Sequence, residues 1–322
     1  MAKQQPRPVH GKVVAISGGA RGIGRATAEQ LVREGARVAI GDLDRELTEQ
    51  VAGEIGGETV GLALDVTDRA SFAAFLDAVE ERLGPVDVLV NNAGIMPLGD
   101  FAEEDDATTR RIVDINVHGV LTGTKLAIRR MRPRRSGHVV NVASMVGKVS
   151  PPGGATYVAS KHAVVGLTEA VALENADHGL DFSIVMPVVV NTELGAGIKE
   201  TRGVKPVEAE DVAAAIVDAI KLPRRDVFVP REVGAIHKAT YVLPQRAQQL
   251  VARAMRSDRV LVDVDRGQRA AYEDRAAHSE PGLEPETAAE ATTAGGEPVE
   301  KDAAAKAGGD GPEGEPAEAV EA

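Results

Sequence analysis

Tyr157 and Lys161 stand four positions apart in Tyr157-Val158-Ala159-Ser160-Lys161. On a helix that spacing puts both side chains on one face. An ammonium beside a phenol favours tyrosinate, so the pair predicts a Tyr157 pKa drawn down from its usual value of about 10 toward the working pH. Such a phenol can take a proton from an alcohol or return one to a ketone. Ser144, thirteen residues before Tyr157, is placed to hydrogen-bond the same substrate oxygen. Of the three tyrosines in the chain, Tyr157, Tyr241 and Tyr272, only one falls at this spacing.

A second set of residues suits a phosphate. An apolar run ends in Ser17-Gly18-Gly19-Ala20-Arg21-Gly22-Ile23-Gly24, where a helical pattern begins. Glycines let the chain turn sharply and approach a ligand, and N–H groups at a helix start face an anion such as a pyrophosphate. The spacing is G-x-x-x-G-x-G, not the commoner G-x-G-x-x-G, and a ligand-free strand-to-helix turn is the structural alternative. Asp42 closes the next apolar run, about 20 residues on, where a carboxylate would accept bonds from a ribose diol and repel a 2′-phosphate. That favours NAD over NADP, although Arg21 could pair with such a phosphate, and a helix N-cap is the structural alternative for Asp42. Asp65 and Val66 follow the third run, within reach of an adenine edge or as a loop cap. Asn91-Asn92-Ala93-Gly94 follow the fourth, where a stabilising corner and a ligand contact are equally good readings.

These residues need elements to hold them. Short runs rich in Val, Ile, Leu and Ala predict strands at Lys12–Ile16, Arg37–Ile40, Thr59–Leu64, Val86–Val90, His138–Val142, Asp181–Met186 and Val227–Val229. Helical spacing lies between them, at Gly22–Glu34, Ser71–Leu83, Thr108–Met131, Ala155–His178 and Glu208–Ile220. Near-continuous apolar strands alternating with helices predict an α/β fold, a doubly wound and mostly parallel sheet buried on both faces. Right-handed crossovers then put a ligand site at the carboxyl edge of the strands.

With the glycine loop, Asn91-Asn92-Ala93-Gly94, Ser144 and Tyr157-x-x-x-Lys161 in this order, the chain resembles the short-chain dehydrogenase/reductase family over roughly residues 11–230. The resemblance implies a Rossmann fold and a Ser144-Tyr157-Lys161 centre. It also implies hydride transfer at an NAD(P) nicotinamide, with cofactor contacts from Ser17, Gly18, Arg21, Gly22, Ile23, Gly24, Asp42, Asp65, Val66, Asn92, Ala93 and Gly94, and from Tyr157 and Lys161 themselves. It implies that Asn116 holds a water linking Lys161 to solvent; a buried amide that kinks its helix is the alternative. Pro187, the Val190 backbone and Thr192 would meet the nicotinamide, with Val188 where the family usually carries glycine. Pairing through Thr108–Met131 and Ala155–His178 into homodimers or homotetramers is implied as well. A non-catalytic NAD(P)-binding redox sensor and an NADP-dependent biosynthetic reductase are the competing functions.

The loops after strands four, five and six offer apolar walls: Met96, Pro97 and Leu98; Met145, Val146, Pro151 and Pro152; Val188, Val189 and Leu194. No arginine clamps a carboxylate there, so the expected substrate is a hydrophobic secondary alcohol or ketone, lipid-, steroid- or terpenoid-like. Residues 1–10 read as an arm, 11–230 as the dehydrogenase domain, 231–276 as a helical extension and 277–322 as a disordered acidic tail. From Ala276 on there are 12 acidic and two basic residues, so most of the net charge of −12 sits in the tail. A nearly neutral remainder argues against nucleic-acid binding. Within 231–256, Ile236, Leu243, Ala247, Leu250, Val251 and Met255 have helical spacing, which suits a cap over the pocket or a dimer contact; peripheral membrane attachment is the alternative. Zero cysteines exclude a disulfide framework and a thiol nucleophile and fit a cytoplasmic setting. The histidines show no metal-ligand spacing, and the arginines around Pro133 read as a solvated turn or an anionic docking patch. No secretory signal is expected, since no apolar stretch follows Pro6 and Pro8.

Overall fold

The computed structural model describes residues 5–198 and 205–279. Seven strands form one parallel sheet: β1 Val13–Ser17, β2 Arg37–Asp42, β3 Thr59–Ala63, β4 Val88–Asn91, β5 Gly137–Val142, β6 Leu180–Pro187 and β7 Asp226–Val229, in the order β3-β2-β1-β4-β5-β6-β7. The order reverses between β1 and β4, and such a switch point opens a crevice at the strands' carboxyl ends. β1, β4 and most of β5 are buried at every position because helices cover both faces. One face packs Val14, Ile16, Val38 and Ile40 against α1 Gly22–Arg33 and α7 Ala209–Lys221. The other packs Ala15, Leu89 and Val139 against α3 Arg69–Leu83 and the long helix before β5. The strand expectations therefore hold to within two residues at each end.

Two differences matter for the site. The helix expected across Thr108–Met131 is two helices, α4 Asp106–Val113 and α5 Val120–Met131, joined by a π-turn over Asp114–Gly119. Asn116 lies inside that turn and is fully buried. Its Oδ1 accepts from the Ile95 N–H and its Nδ2 donates to the Ile95 carbonyl, both at 2.8 Å. An additional helix, α2 Arg45–Ile55, starts under the Asp44 side chain, which accepts from Leu47 N–H. α6 runs Ala155–Glu174, with a short 3₁₀ turn to His178.

Of the arm, residues 5–10 are described, and it is docked: Val9 is buried and the Arg7 N–H donates to Lys221 O. After β7 come α8 Arg231–Tyr241, α9 Gln245–Met255 and α10 Arg266–Ala277. The tail expected from 277 begins where α10 ends; from residue 280 it lies outside the described residues. The arginines around Pro133 are tied inward. Arg130 pairs with Asp77, Arg132 donates to Asn175 Oδ1 at 2.9 Å, and Arg134 donates to Val86 O at 2.6 Å. Among the described residues no helix is long and apolar enough to cross a membrane, and no cluster of His, Asp and Glu could hold a metal.

Candidate active site

A cavity of roughly 1110 Å³ opens at the carboxyl edge of the sheet. Its floor is the glycine loop between β1 and α1. Gly18 and Gly22 sit at φ +65° and +47°, in the left-handed region that glycine adopts freely. Gly24 has no room for a side chain: a Cβ there would lie 2.1 Å from Gly18 O and 2.7 Å from Asn92 Nδ2. The loop is held from behind. Asn92 Nδ2 donates to Ser17 O at 3.1 Å and to Gly18 O at 2.9 Å, while Ser17 Oγ accepts from the Asn92 and Ala93 N–H groups. α2, α3 and α4 each begin under an aspartate, Asp44, Asp68 and Asp105, that accepts their first N–H groups. α1 begins at Arg21 with no side-chain cap. Its free N–H groups therefore face the cavity as an anion-binding end.

Asp42 closes the next strand at the cavity wall. It accepts from Ala20 N–H at 3.2 Å and Leu43 N–H at 2.9 Å. Burial raises its pKa, and those two N–H bonds together with nearby Arg21 offset part of the rise. Arg21 lies 3.6 Å from Asp44 in an exposed pair. Asp65 Oδ1 accepts from the Thr67 N–H and hydroxyl at 2.9 and 2.7 Å, which makes it a loop cap that also lines the wall beside Val66. This floor fits a dinucleotide: an uncapped helix start for a pyrophosphate, a half-buried carboxylate for a ribose, and apolar Val66 and Leu64 for a flat base.

The far end holds the groups suited to proton transfer. Tyr157 and Lys161, on one face of α6, are both 5% exposed, and Lys161 Nζ lies 5.7 Å from the Tyr157 ring centre. Lys161 Nζ donates to Val142 O at 3.1 Å. Ser144, past β5, faces the phenol and its Oγ accepts from Val146 N–H at 3.3 Å. The expected downward shift of Tyr157 is not what this environment produces. Burial pushes Tyr157 up to about 12, against the opposing pull of the Ser144 hydrogen bond and Arg269. Burial also pulls Lys161 down to about 8. Desolvation penalises each charged form more than the two groups favour one another.

Asn116 departs from its expected role in detail. Besides Ile95, its Nδ2 donates to Ser160 Oγ at 3.1 Å, so both amide hydrogens are engaged within the protein. It stays near the centre, since a Cβ on Gly94 would lie 3.1 Å from Asn116 Oδ1 and 3.5 Å from Lys161 Nζ. Pro187, Val190 and Thr192 line the cavity beyond β6. Val188 in the glycine position is accommodated because its N–H donates to Val229 O at 3.0 Å, continuing the β6–β7 pairing. Ser17 and Gly24 support the loop from behind and do not line the cavity, unlike Gly18, Arg21, Gly22, Ile23, Asn92, Ala93 and Gly94.

Most of the expected substrate wall is present: Met96, Met145, Val146, Pro151, Pro152, Val188, Val189 and Leu194 line the cavity, while Pro97 and Leu98 do not. The 231–256 segment, expected as a cap, lines the cavity through Val233, Ile236, Val251 and Met255, but sequence reading missed the rest of the roof. Val260 and Leu261 pack in one cluster with Met96, Tyr157, Val158 and Leu194, and Tyr272 of α10 reaches the cavity. No motif announces these residues; the spacing of Leu261, Arg269, Tyr272 and Ala276 becomes informative only once α10 is docked. Of α9, Val251 and Met255 line the cavity, while Leu250 is 65% exposed.

A family model described as short chain dehydrogenase matches residues 12–203, more than half of the chain. The chain is 37% identical over 191 residues to 2,5-dichloro-2,5-cyclohexadiene-1,4-diol dehydrogenase of Sphingobium indicum, covering 58% of this chain and 76% of that protein. It is 40% identical over 189 residues to a sorbitol dehydrogenase of Cereibacter sphaeroides, covering 58% and 74%. A solved short chain dehydrogenase/reductase from Burkholderia phymatum, in complex with NAD, superimposes with a TM-score of 0.67 at 28% identity over 73% of this chain and 94% of that one.

Proposed function

The chain belongs to the short chain dehydrogenase family, and from that premise we propose that it transfers hydride between a nicotinamide cofactor, preferably NAD, and a hydrophobic secondary alcohol or ketone. One observation carries the reading: an uncapped helix start with a half-buried carboxylate at one end of a single cavity, and Ser144, Tyr157 and Lys161 converging at the other. A nicotinamide bound between those ends supplies the hydride acceptor and, when oxidised, a positive charge. Gly18, Gly22 and Ile23 would hold the pyrophosphate, Asp42 the adenosine ribose, and Val190 and Thr192 the carboxamide. Asp42 supports NAD over NADP.

Ser144 orients the alcohol oxygen toward Tyr157, and Tyr157 takes its hydroxyl proton as the carbon gives up hydride. Lys161 has one N–H on Val142 O and two left for a ribose and the developing tyrosinate. Asn116 acts as the strut that fixes Ile95 and Ser160 around Lys161; a relay water would be met by the remaining lone pair of its Oδ1. The apolar walls support a lipid-, steroid- or terpenoid-like substrate, and similarity to proteins named as diol and sorbitol dehydrogenases supports alcohol chemistry.

The test is NAD reduction over a panel containing cyclohexanol, borneol and 2-decalol, with Tyr157→Phe as control. Wild type should turn over at least one, and the variant should lose about 10²- to 10⁴-fold in kcat while keeping NADH affinity. NADH binding without turnover of any alcohol or ketone would favour the redox-sensor reading instead. A homo-oligomer is part of the proposal. Ala159, Ala163, Gly166 and Ala170 form an exposed strip of small residues along α6, and a Cβ on Gly166 would meet nothing within 4 Å. Light scattering of Ala163→Arg should show a smaller particle than wild type.

A further inference from the structure

Arg269 is 1% exposed and lies on α10, beyond the span of the family match. A charge sealed from water must be fully paired. Its Nη1 donates to Leu194 O and Ala196 O at 3.0 Å each, its Nη2 to Met96 O at 2.7 Å, and its Nε to Glu273 at 2.9 Å. Met96 belongs to the loop after β4, and Leu194 and Ala196 to the loop after β6. One side chain thus ties two walls of the substrate end together from the roof.

Three residues further along the helix, Tyr272 lies under that guanidinium, with Arg269 Cζ 5.1 Å from its ring centre. Its hydroxyl oxygen accepts from Met96 N–H at 2.6 Å, its ring packs on the core, and it lines the same cavity as Tyr157. Burial raises its pKa, so the phenol keeps its proton. That proton has no acceptor among the described residues, while the surrounding wall is apolar. A neutral O–H held by its own oxygen, on a residue that lines the cavity, is free to turn its proton to a ligand.

We propose that Tyr272 determines specificity by donating a hydrogen bond to a second oxygen of the substrate, remote from the reacting carbinol, with Arg269 as the residue that positions it. This rests on the dehydrogenase reading and narrows its substrate class to hydrophobic alcohols that carry a further hydroxyl, carbonyl or ether oxygen. A site built around such a donor discriminates against analogues lacking the acceptor, because the donor is then left unpaired.

The experiment uses the full chain with NAD and two probe pairs: cyclohexanol with cyclohexane-1,4-diol, and 2-decalol with decalin-2,6-diol. Tyr272→Phe removes one oxygen and leaves the ring. It should raise KM for the diols about tenfold with kcat nearly unchanged, leave the mono-alcohols within about twofold, and leave NADH affinity intact. Arg269→Lys should weaken both members of each pair and raise amide hydrogen exchange at residues 94–98 and 194–198. An equal loss on mono-alcohol and diol in Tyr272→Phe would assign the tyrosine to loop support alone and overturn the donor role, as would no loss on either. Failure of wild type to oxidise any of the four, with NADH still bound, would overturn the dehydrogenase reading on these classes and the donor with it.

Discussion

The two ends of the cavity are built from different materials. The nucleotide end is made of backbone: N–H groups of an uncapped helix, glycines at Gly18, Gly22 and Gly24, and an asparagine that braces them through main-chain carbonyls. The substrate end is made of side chains from α6, α9 and α10 and from three loops, fastened by one buried guanidinium. Backbone recognition needs strand ends that lie side by side, and the order β2-β1-β4 sets Ser17 beside Gly41 and Asn91. Side-chain recognition draws on residues more than a hundred positions apart, such as Met96 and Tyr272. The first end tolerates little change and serves a shared cofactor; the second can be rebuilt while the scaffold stays the same.

The strongest way to break this contrast is at Gly24. A methyl there would strike the Gly18 carbonyl, which cannot swing aside as a side chain can. Gly24→Ala should cost about 1–3 kcal/mol of stability and weaken NADH binding at least about tenfold, measured by nucleotide fluorescence and thermal melting. Unchanged NADH affinity would show that the loop is not shaped by backbone packing.

The pH profile probes the other end. Tyr157 acts as a base only when deprotonated, and its burial places that event well above neutrality, at about 12. Its base form grows as pH rises. Alcohol oxidation should therefore accelerate up to tenfold per pH unit on the acid side of the apparent pKa, whereas ketone reduction, which needs the protonated phenol, should be flat there and fall only above it. Steady-state kinetics in both directions check the sign; a pH-independent oxidation rate would remove Tyr157 as the base. Lys161, neutral in part above about 8, should flatten the alkaline limb.

A smaller effect is expected at Asp42. Asp42→Ser removes the carboxylate that would repel a 2′-phosphate. NADH should bind about tenfold more weakly and NADPH about tenfold more tightly, the scale of one hydrogen bond to a charged group. Equal loss of both nucleotides would mean that Asp42 only braces Ala20 and Leu43.

Much of the nucleotide end was legible from local pattern alone. The strand-glycine-helix order and the Tyr157–Lys161 interval are short-range features, and each survives in the structure because one element carries it. The direction of the Tyr157 shift was misjudged for a definite reason. Spacing shows that an ammonium is near, but the desolvation that outweighs it depends on Met96, Val158 and Leu261 packing against Tyr157. The π-turn at Asn116 was hidden because helical spacing does not mark a widened turn, and the Asn116 bonds to Ile95, 21 residues earlier, are tertiary. Ser17 looked like a ligand contact and proved to be a brace, since its hydroxyl turns toward Asn92 and Ala93.

From the sequence alone come the parallel α/β sheet, the glycine turn and the one-faced Tyr-Lys pair, because hydrophobic period, left-handed glycine and i,i+4 geometry act over a few residues. Only the tertiary structure decided what covers the substrate end, that Arg269 is buried, and that both Tyr157 and Lys161 are held toward neutrality. Burial and the field inside a closed cavity are sums over distant chain segments, and no local run of residues contains them.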